Sequence, residues 1–299
     1  MSKAPPRWRT DVALALVCLA WGATFIIVKQ ALADVSTLLF LALRFSIAAA
    51  VLAIIFRPRL NAKSALRGGV TAGVFLFAGY VLQTLGLNFT SASKAAFITG
   101  LYIPLVPLTG ALLYRRQPDR FEILGVIAAA IGMALMTVKP GVLHVNTGDL
   151  LVAGCAVAFA VHIVVLGHFA KQAETGALAV IQIATCAVAA LLSFSWAEPV
   201  RIVWSSRVVV ALAVTSLLAT AFAFAVQTWA QKYSSPTRTA IIFSLEPVFA
   251  WGTSWLVAGE VLTPRALAGA VLILAGVLTV EVKPFRSIAP SPSPDPADR

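Results

Sequence analysis

Residues 80–90 read YVLQTLGLNFT and residues 224–234 read FAVQTWAQKYS, and the fold turns on reading them as two copies of one unit. At a shift of 144 positions, Tyr80 falls on Phe224, Gln83-Thr84 on Gln227-Thr228 and Phe89 on Tyr233. The register continues toward the C-terminus, where Lys94 meets Arg238, Gly125 meets Gly269 and Gly132 meets Gly276. Toward the N-terminus the shift is 138: Asp11 falls on Asp149, Trp21 on Phe159, Thr24 on His162 and Arg44 on Gln182. A loop insertion produces such a small change of shift. Matches between Ala or Leu carry no weight in a chain that is 60% hydrophobic. Polar residues and glycines that match in order across successive apolar runs mark an internal duplication.

Only 12% of the residues are charged, against about 25% in a soluble globular domain. So little polar surface could not cover 299 residues in water. Apolar runs occupy residues 11–28, 36–56, 66–87, 92–114, 121–138, 149–169, 176–197, 208–230, 237–258 and 264–282. A spanning helix needs about 20 apolar residues, so these runs predict ten transmembrane helices. They are too long for barrel strands and lack polar–apolar alternation. The expectation is an all-α integral membrane protein: a cytoplasmic segment 1–10, a first five-helix repeat 11–141, a second repeat 148–282, and a disordered Pro- and Ser-rich tail 283–299. Five spans per repeat is an odd number, so the second copy enters the membrane from the opposite side. Two inverted repeats related by an axis in the membrane plane are a transporter architecture, because exchanging the conformations of the halves exposes a central site to either side.

The net charge of +11 invites a nucleic-acid reading, but the cations fall in the gaps between apolar runs rather than on one face. With the N-terminus in the cytoplasm, the outer segments hold Lys29, Lys94, Lys139, Arg201, Arg207 and Arg265, and Arg44 lies within a span. That leaves sixteen of the 23 basic residues inside, which places both termini in the cytoplasm. The first run follows Lys3, Arg7 and Arg9, and Ala31-Leu32-Ala33 resembles a cleavage site, yet the run is too long for a signal peptide. Cys18, Cys155 and Cys186 lie inside apolar runs and read as small buried hydrophobes.

Trp21-Gly22-Ala23-Thr24-Phe25, Ala42-Leu43-Arg44-Phe45 and the stretch Gly79 to Pro107, GYVLQTLGLNFTSASKAAFITGLYIPLVP, resemble the EamA family of the drug/metabolite transporter superfamily. Leu245-Glu246-Pro247-Val248-Phe249, Gly259-Glu260 and the closing pattern LAGAVLILAGVL extend the resemblance from about Asp11 to Val282. It implies ten helices and efflux of amino acids or other small metabolites across the bacterial inner membrane. One departure is Arg116, which stands where the second copy has Glu260, so no role that needs an acid in both copies is implied.

In each pair of matched helices an aromatic and a polar residue recur three apart, hence on one helix face. They are Trp21 with Thr24, Phe159 with His162, Tyr80 with Gln83, and Phe224 with Gln227. These faces are expected to line a substrate cavity; the competing reading is hydrogen bonding that only holds the helices together. Glu246, whose counterpart is Tyr102, either faces the cavity to meet a substrate amine or exchange a coupling proton, or is a structural acid. Pro247, Pro104 and Pro107 can kink their helices. Arg44 is a costly charge near mid-span, there either to bind a substrate carboxylate or to pair with Glu246. His162 is either a proton shuttle or, the preferred reading, a hydrogen-bonded structural residue. Lys29 and Lys94 are read as interface anchors. Gly125, Gly132, Gly269 and Gly276 predict close helix contact, within the chain of a monomer or across a homodimer seam.

No HExxH, GxSxG, Walker or metal-ligand pattern is present, so no enzymatic activity, cofactor or metal is expected. A channel fits an inverted repeat poorly. The partners expected are the lipid bilayer and a small-molecule substrate, with a coupling proton if Glu246 carries one. Amino-acid export is the leading reading, and export of drugs or toxic organic cations the alternative. A phosphorylated substrate would call for several cations at the midplane.

Overall fold

In a bilayer every backbone N–H and C=O must find a partner within the protein, and helices meet that demand. The computed structural model describes residues 5–22, 24–57, 63–90, 92–115, 117–137, 146–249 and 263–281. Within them the chain is helical, apart from turns and one isolated antiparallel bridge between Val35 and Ile202. The Arg116–Glu260 comparison, the tail 283–299 and the ninth apolar run beyond residue 249 lie outside the described residues.

The first run folds as α1 (Arg7–Gly22) and α2 (Thr24–Ala31). The next two are α3 (Thr37–Phe56) and α4 (Lys63–Leu87). The fourth is divided into α5 (Ala92–Thr99) and α6 (Tyr102–Tyr114), and α7 (Arg120–Thr137) follows. The second half begins with α8 (Thr147–Phe169) and α9 (Thr175–Ala197). Its third span runs through α10 (Ser206–Ala213), a π-helical segment Val214–Phe222 and α11 (Ala223–Gln231). Then come α12 (Pro236–Phe243) and α13 (Pro264–Glu281). Seven described spans are long and apolar enough to cross a membrane, and Pro264–Val280 is a shorter apolar helix. The protein is a multi-pass membrane protein.

The runs at 92–114 and 237–258, expected to be single helices, are interrupted by turns at Gly100-Leu101 and Ser244-Leu245. Pro104 cannot donate to the Gly100 carbonyl, nor Pro247 to that of Phe243, so the helical ladder lapses there. The remaining amides tighten instead: Leu101 donates to the Ile98 carbonyl at 3.1 Å, and Leu245 to that of Ile242 at 3.0 Å. Pro107 lies inside α6, which continues past it.

Close backbone approach sets the packing. A Cβ on Gly86 would stand 2.8 Å from the Gly148 carbonyl oxygen, and one on Gly148 2.7 Å from that of Gly86. Gly68, at the other end of α4, abuts Phe169 at the end of α8, so the two helices are antiparallel. Helices α7 and α13 cross in the same way: a Cβ on Gly132 would lie 2.6 Å from the Gly269 carbonyl oxygen, and one on Gly276 2.8 Å from that of Gly125. The four matched glycines therefore meet within one chain.

Helix α3 starts without a capping side chain of its own. Glu198, just past α9, supplies the acceptors: the Thr37 and Leu39 amides reach its carboxylate at 3.2 and 3.4 Å, and the Leu38 amide bonds to it too. At this same end Lys29 donates to the carbonyls of Leu87 and Thr90, and Lys94 pairs with Asp149 at 2.5 Å. Both lysines, read as interface anchors, thus also reach acceptors within the protein.

Candidate functional site

A cavity opens between α1, α4, α8 and α11, from Phe159 and His162 midway along α8 to Leu87 at the end of α4. Trp21, Thr24, Tyr80, Gln83, Tyr102, Phe159, His162, Phe224, Gln227 and Glu246 all border it, together with Arg44. The four helix faces singled out by the repeat thus converge on one space. Their rings touch in sequence: Trp21 to Phe224 at 5.8 Å between centroids, Phe224 to Tyr80 at 6.2 Å, and Tyr80 to Phe159 at 5.3 Å. Phe243 extends the row, edge-on to Trp21 at 4.9 Å. About 680 Å³ lies between the lining atoms, counting the opening, but only about 60 Å³ of it admits the centre of a water molecule. At about 10–15 Å³ per water centre, that is room for a few waters and no more.

Arg44 is buried without a carboxylate partner among the described residues. Its Nε donates to Thr220 Oγ1 at 2.8 Å and its Nη2 to the Tyr80 hydroxyl at 3.1 Å, with a longer contact to the Ala219 carbonyl at 3.4 Å. The guanidinium lies 4.4 Å from the Tyr80 ring centroid. Nη1 has no hydrogen bond to a described residue. The pairing of Arg44 with Glu246 does not form, since no described ion pair joins them. The reason is geometric: Arg44 is turned toward the π-helical segment, whose widened turn offers Thr220 and the Ala219 carbonyl. That carbonyl also accepts from Trp21 Nε1 at 2.9 Å.

The Glu246 carboxylate borders the cavity and makes no hydrogen bond or ion pair with a described residue. Gln227, 1% exposed, donates to Gln231 Oε1 at 3.2 Å, while its own buried Oε1 has no partner among the described residues. Gln83 donates to Thr99 Oγ1 at 3.1 Å. His162 is tied into a chain: its Nε2 meets Gln182 Oε1 at 3.0 Å, Gln182 donates to Thr228 at 2.8 Å, and Thr228 donates to the Phe224 carbonyl at 2.6 Å. This fits the structural reading of His162, whose ring also edges onto Phe224 at 5.8 Å. Of the prolines, Pro104 and Pro247 sit just past the helix breaks, and none borders the cavity.

Sequence reasoning missed Thr99, Thr220, Ala219 and Phe243. Thr99 and Phe243 could have been found as the last residues before the two breaks, once the prolines were read as breaks rather than kinks. Thr220 and Ala219 had no signal, because a π-helical turn shifts the face that a 3.6-residue period assigns.

A helical membrane bundle whose polar residues gather around a central cavity is the architecture of a small-molecule transporter. The model of the EamA-like transporter family matches the chain twice, over residues 8–138 and 146–281, and the chain belongs to that family, within the drug/metabolite transporter superfamily. An "Uncharacterized transporter" of Archaeoglobus fulgidus is 34% identical over 278 residues, covering 93% of this chain and 87% of its own. "Uncharacterized transporter YvbV" of Bacillus subtilis is 26% identical, covering 93% of each. A solved structure titled only "Crystal structure of protein" superimposes with a TM-score of 0.75 at 19% identity, over 93% of this chain and 98% of that one, and so shares the fold.

Proposed function

We propose that this protein is an alternating-access carrier that exports amino acids or closely related amphipathic zwitterions. In this reading ten transmembrane helices form two inverted five-helix repeats, 11–141 and 148–282, in the bacterial inner membrane with both termini in the cytoplasm. The observation that carries the substrate class is the set of unpartnered groups on one cavity. Among the described residues, Arg44 Nη1 donates to no group, and neither the Glu246 carboxylate nor Gln227 Oε1 accepts from one. A guanidinium and a carboxylate held at this depth with no ion pair among the described residues are costly, and a zwitterion offsets both at once. Its carboxylate would meet Arg44, its ammonium Glu246 and Gln227, and its side chain the aromatic row. The tight cavity fits a closed state that widens to load and release.

The test is counterflow of radiolabelled amino acids into liposomes holding the purified protein. Saturable, stereoselective flux that falls in both Arg44→Gln and Glu246→Gln supports the reading; equal flux in both variants overturns it. Export of organic cations is the second reading, favoured by the aromatic row beside Glu246. Flux of a quaternary ammonium compound that survives Arg44→Gln, with no amino-acid flux in the parent protein, would replace the first reading with this one.

A further inference from the structure

Two ion pairs stand at opposite ends of the bundle, and they are built from matched residues. Lys94 on α5 meets Asp149 on α8, with Nζ to Oδ2 at 2.5 Å. Arg238 on α12 meets Asp11 on α1, with Nε to Oδ1 at 3.0 Å and Nη2 to Oδ2 at 2.7 Å. Lys94 and Arg238 are one position of the repeat, and Asp11 and Asp149 are another. The same contact is therefore written once in each half. Each time it joins a cation of one half to the first-span carboxylate of the other.

The ends follow from the packing. Asp149 lies at the N-terminal end of α8, where Gly148 abuts Gly86. Arg238 lies two residues after Pro236, which abuts Gly167 at the opposite end of α8. Helix α8 has 23 residues, so at about 1.5 Å per residue the two ends are some 35 Å apart. Phe159 and His162 hold the cavity between them.

Each cation also rides on a short half-helix that stops at a break. Helix α5 ends at Thr99 before Gly100-Leu101, and α12 ends at Phe243 before Ser244-Leu245. Both terminal residues border the cavity. A half-helix joined through a turn can swing as a rigid body with little loss of its own hydrogen bonds, as hinge motions do. An ion pair near the bundle end makes a suitable latch, because its charges regain water when they part.

We infer that α5 and α12 are the two gates of this carrier, latched by Lys94–Asp149 and Arg238–Asp11, and that both latches are fastened in this structure. The inference rests on the carrier reading above and deepens it, but it does not depend on the cargo.

The experiment reads accessibility rather than transport. A single reporter, Leu76→Cys on the cavity wall, is placed in a background of Cys18→Ala, Cys155→Ala and Cys186→Ala, in oriented proteoliposomes. A membrane-impermeant maleimide is applied from one face or the other. Lys94→Gln should raise the labelling rate on the order of tenfold from the Asp149 face alone, a shift within the usual range for coupled equilibria. Arg238→Gln should do the same from the Asp11 face alone. The exchanged pair Asp11→Arg with Arg238→Asp should return labelling to the parent rate. If either neutralised cation fails to insert, Asp149→Asn and Asp11→Asn test the same latches from the carboxylate side. Parent-like rates in the variants, or equal increases from both faces, overturn the latches while leaving a carrier. Labelling of the parent from both faces at one rate, as an open pore would give, overturns the carrier reading and the latches with it.

Discussion

Arg44 shows how one side chain can be kept at a cost to stability. Its three bonds to Thr220, Tyr80 and Ala219 and its place over the Tyr80 ring offset part of the desolvation; a desolvated cation–π contact contributes about 2 kcal/mol. An apolar residue of similar volume would avoid the desolvation altogether, which is why replacing buried charges is often neutral or stabilising. Arg44→Met is accordingly expected to melt at or above the temperature of the parent while losing amino-acid flux, with both measured on one preparation. Arg44→Lys keeps the charge but not the planar fork. Losing a hydrogen bond to a charged group, about 1.5–3 kcal/mol, should raise its KM roughly 10- to 100-fold. Glu246→Gln should raise KM for amino acids by a similar factor while sparing analogues that lack the amine; an unchanged ratio of the two would remove Glu246 from amine recognition. The lining residues were legible because an aromatic and a polar residue three apart recur in matched helices. Which partner each polar group would take was not legible: Gln182 engages His162 and Thr228 across two helices, a contact no local spacing encodes.

At the scale of the element, the glycines and the helix breaks carry the argument. Gly132 and Gly269 face each other so closely that a side chain on Gly132 would collide with backbone rather than with a flexible tip. Gly132→Val is therefore expected to destabilise the protein by about 1–3 kcal/mol, as overpacking does, seen as a lower thermal midpoint in detergent. Gly110, whose Cβ would meet nothing within 4 Å, supplies the control: Gly110→Ala should leave the midpoint unchanged or raise it slightly. Glu198 caps a helix from another part of the chain, and Glu198→Ala should cost about 0.5–2 kcal/mol, the range for lost N-caps. The seven-residue spacing of the glycines announced a close contact but not its partner. That was settled when α7 met α13 within the chain. The prolines announced disturbed helices, yet the interruption falls at Gly100-Leu101 and Ser244-Leu245, short of the prolines themselves, because the missing amide frees a carbonyl one turn earlier.

For the whole molecule the decisive relation is between the ends and the middle. If the two latches alternate, locking either should stop transport. Cysteines replacing Lys94 and Asp149, or Arg238 and Asp11, joined by a cleavable bifunctional thiol reagent, are expected to abolish counterflow, and cleavage of the linker should restore it. Transport that continues with either end cross-linked would show that the end need not open. The amino-acid sequence by itself determined that the chain is a helical membrane protein, where its apolar runs lie, and which residues recur between its halves. All of these follow from apolar length, the backbone's need for internal hydrogen bonds and residue order. Only the tertiary structure decided that the recurring faces meet around one cavity, that Arg44 turns to the π-helical segment instead of to Glu246, and that Lys94 and Arg238 reach the carboxylates of the opposite half. Those are contacts between residues as many as 227 positions apart. They depend on how helices cross, and on backbone departures such as the π-helical turn, rather than on any local pattern.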